Sequence, residues 1–391
     1  MIVVPTSLAS LRSFLCRLRP DLRVLKLQRS FANETEGVDS SNAKRIRLLK
    51  RLFSTILFGS TFAAVLYVKK RRNDEQTKLF KECILLPRDT NYASNMYFYL
   101  YKGYVFPGAF IKSLSQVHKL KARADDIFVA SFPKTGTTWV QEVVYLIQND
   151  LDFKAAAAKN LEQRFPFLEY FYPGVSSIQS TPSPRLIKTH MPYSMLPVSV
   201  HLEMPKIIYI IRNPKDVCVS LYHFTRYIKE SDYKGSFEEF AESFLKGHVA
   251  YGPIWKHYLD WWEHRNDPNI LIISYEDLQK DPHGVIFKIS QFLDKPLKDD
   301  ELQAIVEHCS FNSMAQNKAT NYDHWRRLGF VNLDEGAFFR RGQVGDWKNY
   351  FTDELNARMD AWITEKFGAS GMRFIYELEK SENIDNYEIQ L

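Results

Sequence analysis

Four short segments of this 391-residue chain hold the residue types that could grip anions or move protons. The first, Phe132-Pro133-Lys134-Thr135-Gly136-Thr137-Thr138-Trp139, joins an apolar run to the helical pattern WVQEVVYLIQ. A tight turn at Gly136 lets successive backbone N–H groups point inward, and the helix N-terminus behind them adds about half a positive charge, so an anion is expected in the turn. Thr137 and Thr138 add hydroxyl donors on the first helical turn, and Lys134 supplies a full charge. No Gly-x4-Gly-Lys-Ser/Thr string occurs, and the lysine precedes the glycine, which separates this loop from the Walker A loop of kinases. The second, IRNPKDVCVS at 211–220, ends an apolar run in Arg212, breaks at Asn213-Pro214 and carries Ser220 on the second turn of a helix. A planar guanidinium facing a hydroxyl suits a phosphate. The third, KTHMP at 188–192, puts Lys188 and His190 two residues apart on one strand, so both face the same side. The fourth is Arg340-Arg341-Gly342.

The elements that position these groups are apolar, β-rich runs at Asp126–Ser131, Arg185–Lys188, Lys206–Ile211 and Asn269–Ile273, three of them followed closely by helical patterns. Such alternation predicts an α/β fold, a mostly parallel central sheet with helices on both faces, in which ligands sit beyond the carboxyl ends of the strands. Lys134, His190, Arg212 and Tyr275 follow the four runs in turn.

With 45% hydrophobic residues the chain can bury a large core. A net charge of +6, part of it concentrated in the first seventy residues, gives little reason to expect a nucleic-acid partner. Cys16, Cys83, Cys218 and Cys309 are too few and too scattered for a disulfide framework or a zinc site, so a reducing compartment is expected, and no His/Cys/Asp/Glu cluster has metal-ligand spacing. Residues 1–50 form a basic tail whose first thirty residues have the composition either of an organellar transit peptide or of a disordered extension. The uncharged run 52–68, LFSTILFGSTFAAVLYV, has basic clusters on both sides and reads as a membrane anchor at the short limit of a spanning helix. The pattern from residue 75 to 391 is continuous and reads as one catalytic domain. Membrane anchoring with that domain in the cytoplasm or a mitochondrion is the expected location, and a soluble cytoplasmic protein the alternative.

Taken together, FPKTGTTWVQE, KTHMP, IIYIIRNPKDVCVSLYHF at 207–224 and RRGQVGDWKNYFT at 340–352 resemble the signatures of the soluble sulfotransferases, over roughly residues 95–375. The resemblance implies a P-loop-like nucleotide-binding sulfotransferase fold and transfer of a sulfuryl group from 3'-phosphoadenylyl sulfate (PAPS), with no metal, to a hydroxyl or amine of a small hydrophobic acceptor. It implies that Arg212 and Ser220 hold the 3'-phosphate, that Arg340, Arg341 and Gly342 close over it, and that Trp139 and Phe311 flank the adenine. Cys309, Ser310 and Met314 would complete that wall, and Tyr275 would reach the nucleotide; Phe311 also fits plain core packing. His190 is implied as general base, with Lys188 stabilising charge on the transferring group and Lys134 neutralising the leaving phosphate. Phe167 and Phe224 match family positions lining an acceptor pocket suited to a phenol, a steroid-like alcohol or an aryl amine. In place of the usual Arg-Lys-Gly this chain has Arg341 second, and the short dimerisation motif after GDWKN has Asp353 and Ala357 where Val and Glu are expected. A homodimer by that route has only a degraded motif to rest on. The rival reading is a small-molecule or nucleotide kinase using ATP and magnesium.

Overall fold

The computed structural model describes Leu79, residues 81–170 and residues 174–378. The chain divides into two units, Met1–Asp74 and Glu75–Leu391. The first unit, and with it the expected basic tail and the expected anchor at 52–68, lies outside the described residues. Among the described residues no helix is long and apolar enough to cross a membrane.

Three short strands, β1 (Ile84–Leu85), β2 (Phe98–Tyr101) and β3 (Tyr104–Pro107), form an antiparallel sheet that leads into α1 (Gly108–Val117). Between β2 and β3, Lys102 and Gly103 have φ of 52° and 80°, the pair of positive values that a two-residue type I′ hairpin turn requires. The main sheet follows: β4 (Ile127–Ser131), leading to α2 (Thr137–Gln148); β5 (Leu186–Thr189); β6 (Lys206–Ile211), leading to α3 (Pro214–Tyr227), α4 (Phe237–Leu245) and α5 (Ile254–Trp262); and β7 (Ile270–Ser274), leading to α6 (Tyr275–Lys280), α7 (Pro282–Phe292), α8 (Asp299–His308) and α9 (Phe311–Gln316). A last helix, α10 (Asp353–Phe367), packs back on the domain.

All pairings in the main sheet are parallel, in the order β5-β4-β6-β7. The four runs expected from sequence are the four strands, each within a residue of its expected limits. They are legible as runs because both faces are covered: Ile127 and Val129 point into one apolar cluster with α2, α7 and α8, while Phe128 and Ala130 point into the other, with α1, α3, α4 and α5.

Local chemistry places the helix starts. Pro214 occupies the first turn of α3, and the Asn213 side chain accepts from the Asp216 N–H at 2.8 Å, so the strand Lys206–Ile211 must stop there and a helix begin. In α2, Val140, Val143, Val144 and Ile147 share the buried face, which aims the helix N-terminus at the strand ends. At the opposite, amino-terminal end of the sheet, Asp126 and Arg185 form a two-pronged buried ion pair at 2.7 and 2.5 Å.

Candidate active site

The chain leaves β4 toward β5 on one side and returns to β6 on the other, so the crevice between the ends of β4 and β6 is the switch point where α/β sheets bind ligands. The Lys134 turn rises from β4 and Arg212 from β6. Gly136 caps α2 with φ 104°, and a Cβ there would stand 2.7 Å from the Tyr275 ring, so only glycine fits. Lys134 also has a positive φ, 71°, uncommon for a residue with a side chain and typical of functional turns.

A cavity of about 680 Å³ opens here, and the Lys134, Gly136, Thr137, Thr138, Trp139, Phe167, Lys188, His190, Arg212, Ser220, Phe224 and Tyr275 side of the expected set lines it. So do Cys309, Ser310, Phe311, Met314, Arg340, Arg341 and Gly342, which arrive from the other side. Thr135 does not: its hydroxyl turns back to the Phe132 carbonyl at 2.9 Å and staples the turn. The Ser310 hydroxyl caps α9. Arg340 and Arg341 both pair with Asp346, at 2.5 and 2.9 Å, so the C-terminal arginines are neutralised in part by their own segment. Gly342, φ 63°, lies directly on Phe311, where a Cβ would overlap the ring.

Cations crowd one another at these strand ends. Burial first, then the cations Lys188, Arg212 and Arg340, push the Lys134 ammonium down to about 7. Its Nζ lies over the rings of Phe224 and Phe338, at 4.5 and 4.3 Å. Arg212 donates to the carbonyls of Gln343 and Lys134 at 2.8 and 3.4 Å and lies on the Tyr275 ring. Its Nε is buried with no hydrogen-bond partner among the described residues, an open donor of the kind a phosphate oxygen suits. Trp139 meets Tyr275 edge-on, and its indole N–H is also buried and unpartnered among them.

His190 is buried at the end of β5. Its Nδ1 lies 2.8 Å from the Ser131 carbonyl, an acceptor, so Nδ1 carries the proton and Nε2 keeps its lone pair. Burial, then Lys188, hold the imidazole well below its ordinary proton affinity, so it is neutral. The Ser131 hydroxyl also bonds Thr137 at 2.6 Å, tying the strand end to α2. The Lys188 ammonium lies over Phe167, 4.6 Å from its centroid. Phe167, Tyr170, Phe110 and Tyr251 surround the imidazole side of the cavity with rings.

Sequence reasoning missed Phe338 over Lys134, Gln343 on Arg212, Ser131, Tyr251 and Glu169, whose carboxylate grips the His190 main chain. Glu169 stands within the string FPFLE that contains Phe167, so attention to that string could have found it; nothing local to Phe338 announces its place.

Residues 124–371 match the family model described as the sulfotransferase domain. Sulfotransferase 1B1 of Mus musculus is 37% identical over 284 residues, 71% of this chain and 95% of the relative. The amine sulfotransferase of Oryctolagus cuniculus is 38% identical over 295 residues, 74% of this chain and 97% of the relative. Among solved structures, retinol dehydratase in a complex with retinol and PAP superposes with a TM-score of 0.68 at 30% identity, covering 77% of this chain and 96% of that one. With these similarities beside the Lys134 turn, Arg212 and a neutral His190 gathered at one switch point, this chain belongs to the sulfotransferase family and is a PAPS-dependent sulfotransferase.

Proposed function

We propose that the enzyme transfers the sulfuryl group of PAPS to a hydroxyl or amine of a small, largely aromatic or polycyclic acceptor, with His190 as general base. The observation that carries this reading is the tautomer: the Ser131 carbonyl holds the proton on Nδ1, so Nε2 is free to take the acceptor's proton. Positioning and charge stabilisation do most of the work in such in-line transfers. Lys134, at the mouth of the anion-binding turn, stabilises the leaving phosphate; Lys188, on the same strand end as His190, stabilises the group in flight. Arg212 and Ser220 hold the 3'-phosphate, with Trp139, Tyr275 and Phe311 about the base. The ring-lined end of the cavity, with Phe110, Phe167 and Tyr251, supports a phenol, steroid-like alcohol or aryl amine as acceptor.

His190→Ala should abolish transfer to a p-nitrophenol-type acceptor while adenosine 3',5'-bisphosphate (PAP) still binds. Full activity in that variant removes His190 as base, and preference for ATP over PAPS removes the reading altogether.

For location, the apolar run 52–68 with its basic flanks supports a membrane tether on a single catalytic domain over 75–391. Fractionation of the full chain beside one starting at Glu75 tests it: identical soluble behaviour defeats the tether.

A further inference from the structure

At the end of β5 the main chain of Thr189, His190 and Met191 is held by side chains on both sides. Glu169 Oε1 accepts from the His190 N–H at 2.6 Å and Oε2 from the Thr189 hydroxyl at 3.0 Å. Thr189 Oγ1 in turn accepts from the Met191 N–H at 3.0 Å, so one carboxylate organises two successive peptide groups. From behind, His257 Nε2 donates to the His190 carbonyl at 2.9 Å and Trp261 Nε1 to the Met191 carbonyl at 3.2 Å.

Glu169 is fully buried, and such a carboxylate is costly to keep unless its oxygens are filled by donors. The sheet itself does not require it. The register of β5 is set by β4 along one edge, and the Phe167–Lys188 bridge, closed by main-chain bonds from Leu168 and Lys188, already seats this segment along the other. What the carboxylate adds is a fixed position for the His190 peptide. The bond from Nδ1 to the Ser131 carbonyl sets the rotation of the ring but not where its Cα stands; both are needed to aim Nε2.

We propose that Glu169 is a positioning residue for proton transfer, its carboxylate clamping the main chain at His190 so that Nε2 points at the acceptor. This rests on the reading of His190 as base. Burial raises the Glu169 carboxyl to about 7, in keeping with a group retained for its geometry.

The test uses Glu169→Gln in the full chain. The amide oxygen can still receive the His190 N–H and the NH2 can donate to the second lone pair of Thr189 Oγ1, but the Thr189 O–H then loses its acceptor in a buried site, so the clamp is weakened. A misplacement of about 1 Å costs on the order of 100-fold, so kcat should fall about 10- to 100-fold with acceptor KM and PAP affinity kept. Thr189→Val cuts the same link and should give the same split, and Thr189→Ser should restore kcat. A folded Glu169→Gln enzyme with unchanged kcat overturns the proposal, as does a parallel loss of PAP affinity, which marks a merely structural role. If Glu169→Gln does not fold, the threonine pair decides: equal kcat in Thr189→Val and Thr189→Ser overturns the clamp. An inactive His190→Ala beside a normal Glu169→Gln sinks only the clamp, whereas an active His190→Ala sinks the base reading beneath it.

Discussion

Binding of the donor nucleotide should pull a proton onto the protein, and the amount follows from the surroundings of Lys134. Burial and three neighbouring cations hold its ammonium at about 7 in the free protein. An anion seated in the turn reverses the sign of the local field and returns the group toward the ordinary lysine range of about 10.4. At pH 8 the free lysine is then about one-tenth charged and the bound one almost wholly charged, an uptake of about nine-tenths of a proton; at pH 7 the uptake is about one-half. The sign runs one way: affinity is greatest below pH 7 and weakens by up to about tenfold per pH unit above it, because the charged lysine must be restored before the anion is held. Phosphate groups of the ligand, with a second pKa of about 6, contribute below this window. Titration calorimetry of PAP binding at pH 8, in buffers of low and high ionisation enthalpy, reads the proton count directly. Lys134→Met should remove the uptake and leave the remainder due to other groups. A wild-type uptake near zero at pH 8, or an equal uptake in Lys134→Met, refutes the reasoning.

Two further outcomes follow from single contacts. Arg212→Lys keeps the charge but loses the planar fork, and with charged hydrogen bonds worth about 1.5–3 kcal/mol each, PAP should bind at least about tenfold more weakly in equilibrium titrations of the folded variant; equal affinity would show that the guanidinium does not hold the nucleotide. Asp126→Ala strands the buried Arg185 at the end of the sheet remote from the cavity, so unfolding free energy should drop by about 3–5 kcal/mol in denaturant titrations while KM for PAPS stays put. A change in KM without a loss of stability would contradict that separation.

The main sheet was legible because strands covered on both faces need apolar residues at every position, and Ile207 through Ile211 are such a run. The hairpin from Phe98 to Pro107 was passed over, although Lys102-Gly103 between aromatic residues carries the turn signal, because its strands are only four residues each. In the site, Lys134, His190, Arg212 and Tyr275 could be placed from the chain alone, since each follows a strand and a parallel sheet collects its strand ends at one edge. Thr135 could not be told from Thr137 that way: whether a loop hydroxyl faces a ligand or the Phe132 carbonyl depends on the conformation of the turn.

The amino-acid sequence by itself determined that the Lys134 turn and Arg212 would meet beyond the strands, because turn, cap and strand chemistry act over a few neighbouring residues. Only the tertiary structure decided that Lys134 lies between Phe224 and Phe338 with a weakened hold on its proton, and that Nε2 is the open nitrogen of His190. Those properties arise through space, from burial and from groups up to two hundred residues away along the chain, and no local pattern carries them.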